Sequence, residues 1–301
     1  MREAFLRVDA VRQERLHRVA YPLLREAMKL FELEPRPVLG VLVLSADAFP
    51  APYAELANEV WDLDRGPVLQ AVAPGSPADA AGLRPGDRIV DLAGSEVAPA
   101  DPGFREAFLT QIRGGRIVSF EVEREDQRLS FTITPASVAP YQVQLRYDSR
   151  INALATGRTV KINRGMLEFC SHDSELAFVI AHEIAHNALR HHRDHVLNYL
   201  AGTAVDVALL AAGVPSPNAF GLFSLFEPAP DFESEADLVA LHLLDAAGYE
   251  LEPLRDFWAR FATLGPETRR RWWQLPLRTH PDFATRQLRM EAGIEAILND
   301  E

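Results

Sequence analysis

The sequence has 301 residues, of which 48% are hydrophobic and 25% are charged, and its formal net charge is −12 at pH 7. This composition is typical of a globular protein, and the length suffices for two domains or one large one. The negative charge argues against nucleic acid as the main partner, because phosphate groups bind to basic surfaces. Cys170 is the single cysteine of the sequence, so the chain forms no disulfide within itself.

The N-terminal part combines a helical pattern with a short apolar run. In residues 1–33, apolar side chains recur at helical spacing among arginine and glutamate residues, and Pro35 and Pro37 follow them. We therefore expect a helix over 1–33. The run VLGVLVL at 38–44 is almost wholly apolar and predicts a covered strand.

A change in composition marks residues 66–135 as a separate block. The block contains an apolar run, a series of glycine and proline turns, a helical stretch, and two alternating segments at 117–122 and 129–133. Alternation with period two is typical of half-buried strands. The block therefore predicts a small, partly open β-barrel that carries two short helices.

The string GSPADAAGLRPGDRI at residues 75–89 resembles a PDZ domain of the bacterial protease type. This resemblance implies a PDZ domain over 63–136 that binds an extended peptide, often a chain end, as an added strand. It places the peptide groove near Gly66, Val68 and Leu69. A chain-end ligand is therefore one predicted partner of the protein.

Residues 181–190 have the sequence AHEIAHNALR, which contains the pattern H-E-x-x-H. On a helix, His182 and His186 lie one turn apart on one face, so they can hold one metal ion together. Glu183 lies beside them as a candidate base for activating a water molecule. The residues before the motif are apolar on nearly all sides, which predicts a core helix. Polar side chains on such a helix are costly unless something pairs with them.

A catalytic zinc site usually has a third protein ligand. The segment DFESEAD at 231–237, which opens a helix predicted to end at Gly248, offers Glu233 and Glu235. Glu233 shares an otherwise apolar face with Asp237, whereas Glu235 could be solvated, so Glu233 is the predicted ligand. Asp237 is then either an acceptor for the N–H of a ligand histidine, which we favour, or a plain surface charge.

The two motifs together, H-E-x-x-H and then E-x-E-A-D, resemble the gluzincin metallopeptidases of the HtpX-like and CAAX-prenyl-protease-like family. The resemblance covers roughly residues 141–290 and includes INALATGRTVKINRGMLEF at 151–169. It implies a mainly helical, zincin-type catalytic domain with a small β-sheet.

The same resemblance assigns roles to four further residues. It implies that Asn152 and Ala153 lie beside the substrate in the cleft and pair with its backbone. It implies that His280, within the sequence Thr-His-Pro, lies near the metal and stabilises the oxyanion or controls access. It also implies that Arg286 pairs with a carboxylate at the site and assists catalysis.

These observations predict an α+β chain. The predicted peptidase consists of an N-terminal helix and strand at 1–62 and a catalytic domain at 137–301, with the PDZ domain inserted between them. Its predicted activity is that of a zinc-dependent metalloendopeptidase that hydrolyses protein or peptide substrates with one Zn²⁺ per chain. The PDZ domain then recognises the substrate or regulates its cleavage.

Two questions stay open on the sequence alone. The first is whether the chain is instead a latent protease that acts mainly as a PDZ-type peptide-binding and quality-control module. The second is location, since the family resemblance implies a periplasmic or membrane-associated protein, whereas the charged N-terminus shows no signal peptide and leaves the cytoplasm as the alternative. Residues 196–214 reach the length of a membrane span, but Asp206 within them favours a buried or surface-docked helix. No clear span is therefore predicted, and membrane contact stays open.

Overall fold

The computed structural model describes residues 2–49, 51–98, 101, 103–189, 230–264 and 283–299. The chain divides into two compact units, Met1–Pro140 and Tyr141–Glu301. The first unit contains most of the strands, and the second is mainly helical. The predicted mixture of α and β structure is therefore confirmed.

A long helix opens the first unit. Helix α1 (Arg2–Leu30) is continuous, and Pro22 lies inside it without ending it. It buries Leu16, Val19 and Leu23, which recur every three or four residues and form its inner face. The helix predicted over 1–33 is therefore present, with its end at Leu30.

An antiparallel sheet of six strands forms the centre of the first unit. In spatial order its main strands are β2 (Val41–Leu44), β3 (Val68–Val72), β4 (Arg88–Leu92), β6 (Val118–Arg124) and β7 (Gln127–Ile133), and β5 (Ser95–Glu96) pairs with β4. Two short strands, β1 (Arg36–Val38) and β8 (Ala136–Val138), pair with each other. Within the described residues β2 and β7 each have one neighbour, so the sheet is open. The prediction of a β-barrel is therefore wrong, although the predicted PDZ-like strands are present.

Helices cover part of this sheet. They are α2 (Ala51–Trp61), α3 (Pro77–Ala80) and α4 (Phe104–Arg113). Helix α4 buries Phe104, Phe108 and Ile112, which are four residues apart and therefore lie on one face. They pack in one apolar cluster with alternate residues of β6, from Val118 to Val122.

Gly40 divides the strand predicted at 38–44 into two. Its φ of +81° lies in the left-handed region, and a Cβ built on it would lie 2.2 Å from the Cβ of Ser76. Glycine is therefore required here both by the backbone conformation and by the close approach of another segment. Strand β1 ends before this residue and β2 begins after it.

The second unit begins with a small sheet. Its strands are β9 (Gln142–Arg146), β10 (Ala153–Ala155) and β11 (Thr159–Asn163), in the order β10-β11-β9. Strand β10 is antiparallel to β11, and β9 is parallel to β11. Gly157, with a φ of +72°, turns the chain between β10 and β11.

Helices make up most of the rest of this unit: α5 (Arg164–Phe169), α6 (Asp173–Ala188), α7 (Pro230–Ala246), α8 (Phe257–Ala262) and α9 (Phe283–Asn299). Helix α6 is the predicted core helix, and its residues are buried almost without interruption. The buried carboxylate of Glu175 accepts a hydrogen bond from the backbone N–H of Ser171 at 2.8 Å and pairs with Arg260 of α8 at 2.9 Å. These contacts tie the start of α6 to the residues before it and to α8.

Helix α9 approaches α7 closely at Gly293. A Cβ on Gly293 would lie 2.8 Å from Cδ1 of Leu241. A large side chain at this position would therefore push the two helices apart. Arg286 lies two turns earlier on the same face of α9, so the close crossing brings its side chain to α7.

None of the helices in the described part of the chain combines the length and the apolar character that a membrane span requires. The segment 196–214 lies outside the described residues. Its interpretation as a buried or surface-docked helix therefore stays a prediction.

Replacing Gly40 with alanine should destabilise the first unit by roughly 2–5 kcal/mol, because the variant adds a left-handed alanine and a clash with Ser76. Gly94→Ala is the matched control, since Gly94 has a φ of +82° and nothing within 4 Å of its Cβ position. We expect the control to show the backbone cost alone, about 1–2 kcal/mol. Hydrogen exchange of the amides in β2 and β3 measures both effects. Equal losses in the two variants would contradict a steric role for Gly40.

Candidate metal centre

Two helices of the second unit bring three candidate ligands together. Helix α6 carries His182 and His186 one turn apart, and α7, which packs against α6, contributes Glu233. The Nε2 atoms of the two histidines are 3.0 Å apart. Glu233 Oε2 lies 3.5 Å from Nε2 of His182, and Glu233 Oε1 lies 3.3 Å from Nε2 of His186. One potential ligand atom from each residue therefore faces a common point.

This donor set fits a zinc ion. Tetrahedral zinc with bonds of about 2.0–2.2 Å to nitrogen and oxygen has neighbouring ligand atoms about 3.3–3.5 Å apart. The two histidine Nε2 atoms are 3.0 Å apart, and each lies 3.3–3.5 Å from one of the two carboxylate oxygens of Glu233, which is close to that geometry. Three protein ligands leave a fourth position for water or substrate, which is typical of catalytic rather than structural zinc.

Asp237 lies one turn after Glu233 on α7 and contacts the other nitrogen of His182. Its Oδ1 is 3.0 Å from His182 Nδ1, so the carboxylate lies beside Nδ1 while Nε2 faces the candidate metal position. Burial alone would raise the pKa of Asp237, but the positive charge of Arg286 holds that pKa below its ordinary value. Asp237 therefore stays ionised and fixes the orientation of the imidazole ring.

Arg286 on α9 joins the two carboxylates of α7. Its Nε donates to Asp237 Oδ2 at 2.8 Å and its Nη2 donates to Asp237 Oδ1 at 2.6 Å, which is a bidentate pair. Its Nη1 lies 3.3 Å from Glu233 Oε2. In this arrangement Arg286 neutralises and positions the carboxylates that hold or orient the candidate ligands.

The centre contains more negative than positive charge. Glu183, Glu233 and Asp237 are carboxylates, whereas Arg286 supplies one positive charge, and all four side chains are buried. When the three carboxylates are ionised and the histidines are neutral, a divalent cation balances the remaining charge. A proton on His182 would offset part of the same negative charge. Burial opposes that proton, but hydrogen bonds to Asp237 and Glu233 outweigh burial and raise the pKa of His182 to about 9.

Glu183 follows His182 on α6 and is buried beside it. Burial raises the pKa of Glu183 above its ordinary value, while the two histidines and a hydrogen bond from the backbone N–H of Ala155 oppose the rise. The carboxyl group of Glu183 therefore links helix α6 to strand β10. A carboxyl group whose pKa is raised toward neutral pH is suited to accept and release a proton.

Strand β10 directs part of its backbone away from β11. The N–H of Asn163 donates to the C=O of Asn152 at 3.0 Å, and the next residues in register are Ala153 and Ile162. Hydrogen-bonded and non-hydrogen-bonded pairs alternate along an antiparallel ladder. The N–H and C=O groups of Ala153 and Ala155 therefore point toward the other edge of β10, where the described residues contain no neighbouring strand.

The residues that the family resemblance suggested for substrate contact differ in position. Ala153 lies on the free edge of β10, whereas the backbone C=O of Asn152 is used inside the sheet. His280 lies outside the described residues, so its role near the metal stays a prediction.

Trp258 on α8 is a residue of the site that the sequence does not reveal. Its ring lies against Arg286, whose Cζ is 3.9 Å from the ring centroid. The aromatic face and Asp237 thus hold the guanidinium group from different sides. The local sequence RDFWARF indicates only an apolar helix face, and nothing in it points to an arginine on another helix.

The peptide groove predicted at Gly66, Val68 and Leu69 does not fit the sheet of the first unit. Val68 pairs with Leu44 of β2 on one side and with Arg88 of β4 on the other. Strand β3 is therefore an interior strand, whereas an added peptide strand needs a free edge. Within the described residues, the nearest free edge is that of β2.

Comparison with known proteins decides the family. A family model described as Peptidase family M48 matches residues 121–292, which is more than half of the chain. The chain belongs to peptidase family M48. A PDZ domain model matches residues 37–134 of this M48 chain. The predicted combination of a metallopeptidase with a PDZ domain upstream is therefore confirmed.

One solved structure that resembles the M48 chain is the crystal structure of the HtrA3 PDZ domain bound to a phage-derived ligand (FGRWV). The two sequences are 28% identical, and the similarity covers 35% of this chain and 89% of that chain, with a TM-score of 0.26. No curated protein matched the M48 chain.

Family M48 is zinc-dependent, so membership indicates a metallopeptidase and therefore a hydrolase. The PDZ domain implies a peptide-binding role and peptide partners. Its match begins at residue 37 and includes β2, whereas the sequence suggested a PDZ domain over 63–136. The domain boundaries proposed from the sequence stay predictions.

Zinc binding by the M48 chain should weaken as the pH falls from about 8.5 to 6.5. In this range His182, with a pKa of about 9, must release a proton before its Nε2 can bind metal. Release of one proton predicts a loss of about tenfold in affinity per pH unit. Competition with a chelator of known pH dependence measures this slope, and a flat profile would contradict the role of His182.

Asp237→Asn should lower zinc affinity by about 10–100-fold, because His182 loses the charged acceptor that fixes its ring. Glu235→Gln is the matched control, since Glu235 is an exposed carboxylate on the same helix. Chelator competition at one pH compares the two variants with the unchanged chain. Equal affinities for both variants would show that Asp237 does not support the metal centre.

Proposed function

We propose that this M48 chain is a zinc-dependent endopeptidase in which His182, His186 and Glu233 hold one Zn²⁺ and Glu183 is the general base. The observation that carries this proposal is the cluster of two histidine nitrogens, 3.0 Å apart, with a carboxylate oxygen of Glu233 3.3–3.5 Å from each, beside the buried Glu183. Both the number and the type of these donors agree with catalytic zinc.

A bound zinc ion supplies Lewis-acid chemistry, which polarises a carbonyl oxygen and makes water a better nucleophile at neutral pH. The protein supplies the proton transfers. Glu183 takes the proton of the attacking water and later gives it to the leaving amine, and its raised pKa supports both steps. Asp237 and Arg286 keep the ligand set in place while this proton moves.

The substrate backbone pairs with the free edge of β10 in this proposal. Ala153 offers an outward N–H and an outward C=O, and an extended peptide can use both as an added strand. Because such pairing uses only backbone groups, it needs neither end of the substrate chain. This feature favours cleavage inside a chain over removal of terminal residues.

His280 is the proposed oxyanion donor, on the basis of the family resemblance alone. The sequence suggested that Arg286 assists catalysis, whereas we propose a more limited role for it. Its Nε and Nη2 are engaged by Asp237, so we propose that it positions the ligands rather than contacts the substrate.

The PDZ domain has its own part in this function. We propose that the peptide groove lies along β2, beside α4, in place of the position expected from the sequence. Val41 and Val43 of β2 belong to the same apolar cluster as Phe108 and Ile112 of α4, so the surface between strand and helix is apolar. An extended peptide bound to this edge would hold a substrate chain on the same molecule as the metal centre.

Glu183→Gln should retain zinc and lose at least 10²-fold in the rate of peptide cleavage, because an amide cannot take a proton from water. Glu168→Gln is the matched control, since Glu168 is an exposed glutamate of the same unit. Metal content and cleavage of an unstructured protein such as casein are measured on both. Full cleavage by Glu183→Gln would rule out the proposed general base.

A further inference from the structure

The sheet of the second unit has another edge, formed by β9, that the function proposed above does not use. In the spatial order β10-β11-β9, strand β9 has one neighbour within the described residues. No residue of β9 is fully buried, whereas three of the five residues of β11 are. Strand β9 is therefore the most exposed strand of this sheet.

The backbone of β9 presents hydrogen-bonding groups along this edge. The N–H of Gln142 donates to the C=O of Arg158 at 2.9 Å, so Gln142 faces β11. Successive residues of a strand face opposite neighbours. Val143 and Leu145 therefore direct their N–H and C=O groups away from β11, toward a side where the described part of the chain places no strand. Such a row of groups can pair with a further strand.

The side chains of β9 add an apolar row to the same edge. Val143, Leu145 and Tyr147 occupy alternate positions, so they share one face of the sheet. Val143 and Leu145 are half-buried, and Tyr147 is 60% exposed. Addition of a strand at this edge would cover more of this apolar surface and is favoured for that reason.

Strand β9 is complementary to itself. When two copies pair antiparallel about Gln144, all five residues of the strand find a partner. Val143 then lies opposite Leu145 of the second copy, Gln142 lies opposite Arg146, and Gln144 lies opposite Gln144. Apolar residues meet apolar residues, polar residues meet polar residues, and no like charges face each other.

This register is better than its neighbours. A centre at Val143 would pair only residues 142–144, and a centre at Leu145 would pair only residues 144–146. Around Gln144, by contrast, the outward groups of Val143 and Leu145 in both copies form four hydrogen bonds. Because β9 contains no acidic residue and a single arginine, its charge does not oppose the pairing.

We propose that the β9 edge is the contact surface between two copies of this chain, which join their three-stranded sheets into one six-stranded sheet across a twofold axis at Gln144. Each β10 then lies at an outer end of the joint sheet, so the edge proposed for substrate stays accessible in both copies. The contact is small, so the dimer is weak and dissociates on dilution. This proposal does not depend on zinc binding or on peptide cleavage.

The mass of the full chain in solution tests the association. Sedimentation between about 1 and about 200 μM should show the mass rising from one chain toward two. Val143→Pro removes one outward N–H and leaves the bonds between β9 and β11 in place, and edge positions of this kind accept proline. We expect this variant to associate at least tenfold more weakly, while its circular dichroism and zinc content stay unchanged.

Paired cysteines test the position of the axis. In Gln144→Cys the two new thiols face each other across the axis, with Cα atoms about 4.5 Å apart. This separation allows a disulfide, so mild oxidation should give a covalent dimer. The unchanged chain should give none, because its single cysteine, Cys170, is buried.

Lys161→Cys is the matched control for the cross-link. Lys161 of β11 is in register with Gln144 and shares its face, but it lies one strand farther from the axis in each copy. The two Cα atoms would then be about 14 Å apart, which is beyond the reach of a disulfide.

Each outcome decides the proposal. A chain with the mass of one copy at every concentration would overturn it. A dimer that forms without a Gln144→Cys cross-link would show that another surface is used. Equal cross-linking of Gln144→Cys and Lys161→Cys would indicate random collision and would also overturn it. If Val143→Pro does not fold, the two cysteine variants alone decide.

Discussion

The buried ion pair between Asp237 and Arg286 is the contact on which the candidate metal centre depends. It joins helices α7 and α9, and through His182 it extends to α6. Each of these groups lies away from water, where a charge without a partner costs several kcal/mol. Loss of one member therefore leaves the others uncompensated, so the ligand histidine and the two carboxylates of α7 keep their geometry together or lose it together.

Arg286 also separates two environments that lie only a few ångströms apart. Its nitrogen atoms face the carboxylates of the candidate metal centre, and a face of its guanidinium group lies against Trp258 of α8. A cluster of buried charges and a cluster of aromatic rings thus share one side chain as their boundary. Because the charge is satisfied on the carboxylate side, the side that faces Trp258 can stay apolar.

The sequence predicted the grouping of the candidate ligands better than the contacts around them. The spacings of His182 and His186, and of Glu233 and Asp237, are one helical turn, so helical geometry alone gives each pair a common face. The contact between Arg286 and its partners depends instead on how α9 crosses α7, which no local pattern specifies. The peptide groove was misplaced for a related reason, since an apolar strand pattern does not tell an interior strand from an edge strand.

The edge of β10 that has no neighbouring strand within the described residues is also a hazard to the protein. Unpaired backbone groups on a strand edge can pair with any extended chain, including a second copy of the same strand, and this is a common route to aggregation. Strand β10 contains only the three residues Ala153–Ala155, and the N–H of Ala155 is already engaged by Glu183. So short an edge supports transient pairing with a passing peptide but not the growth of a continuous intermolecular sheet.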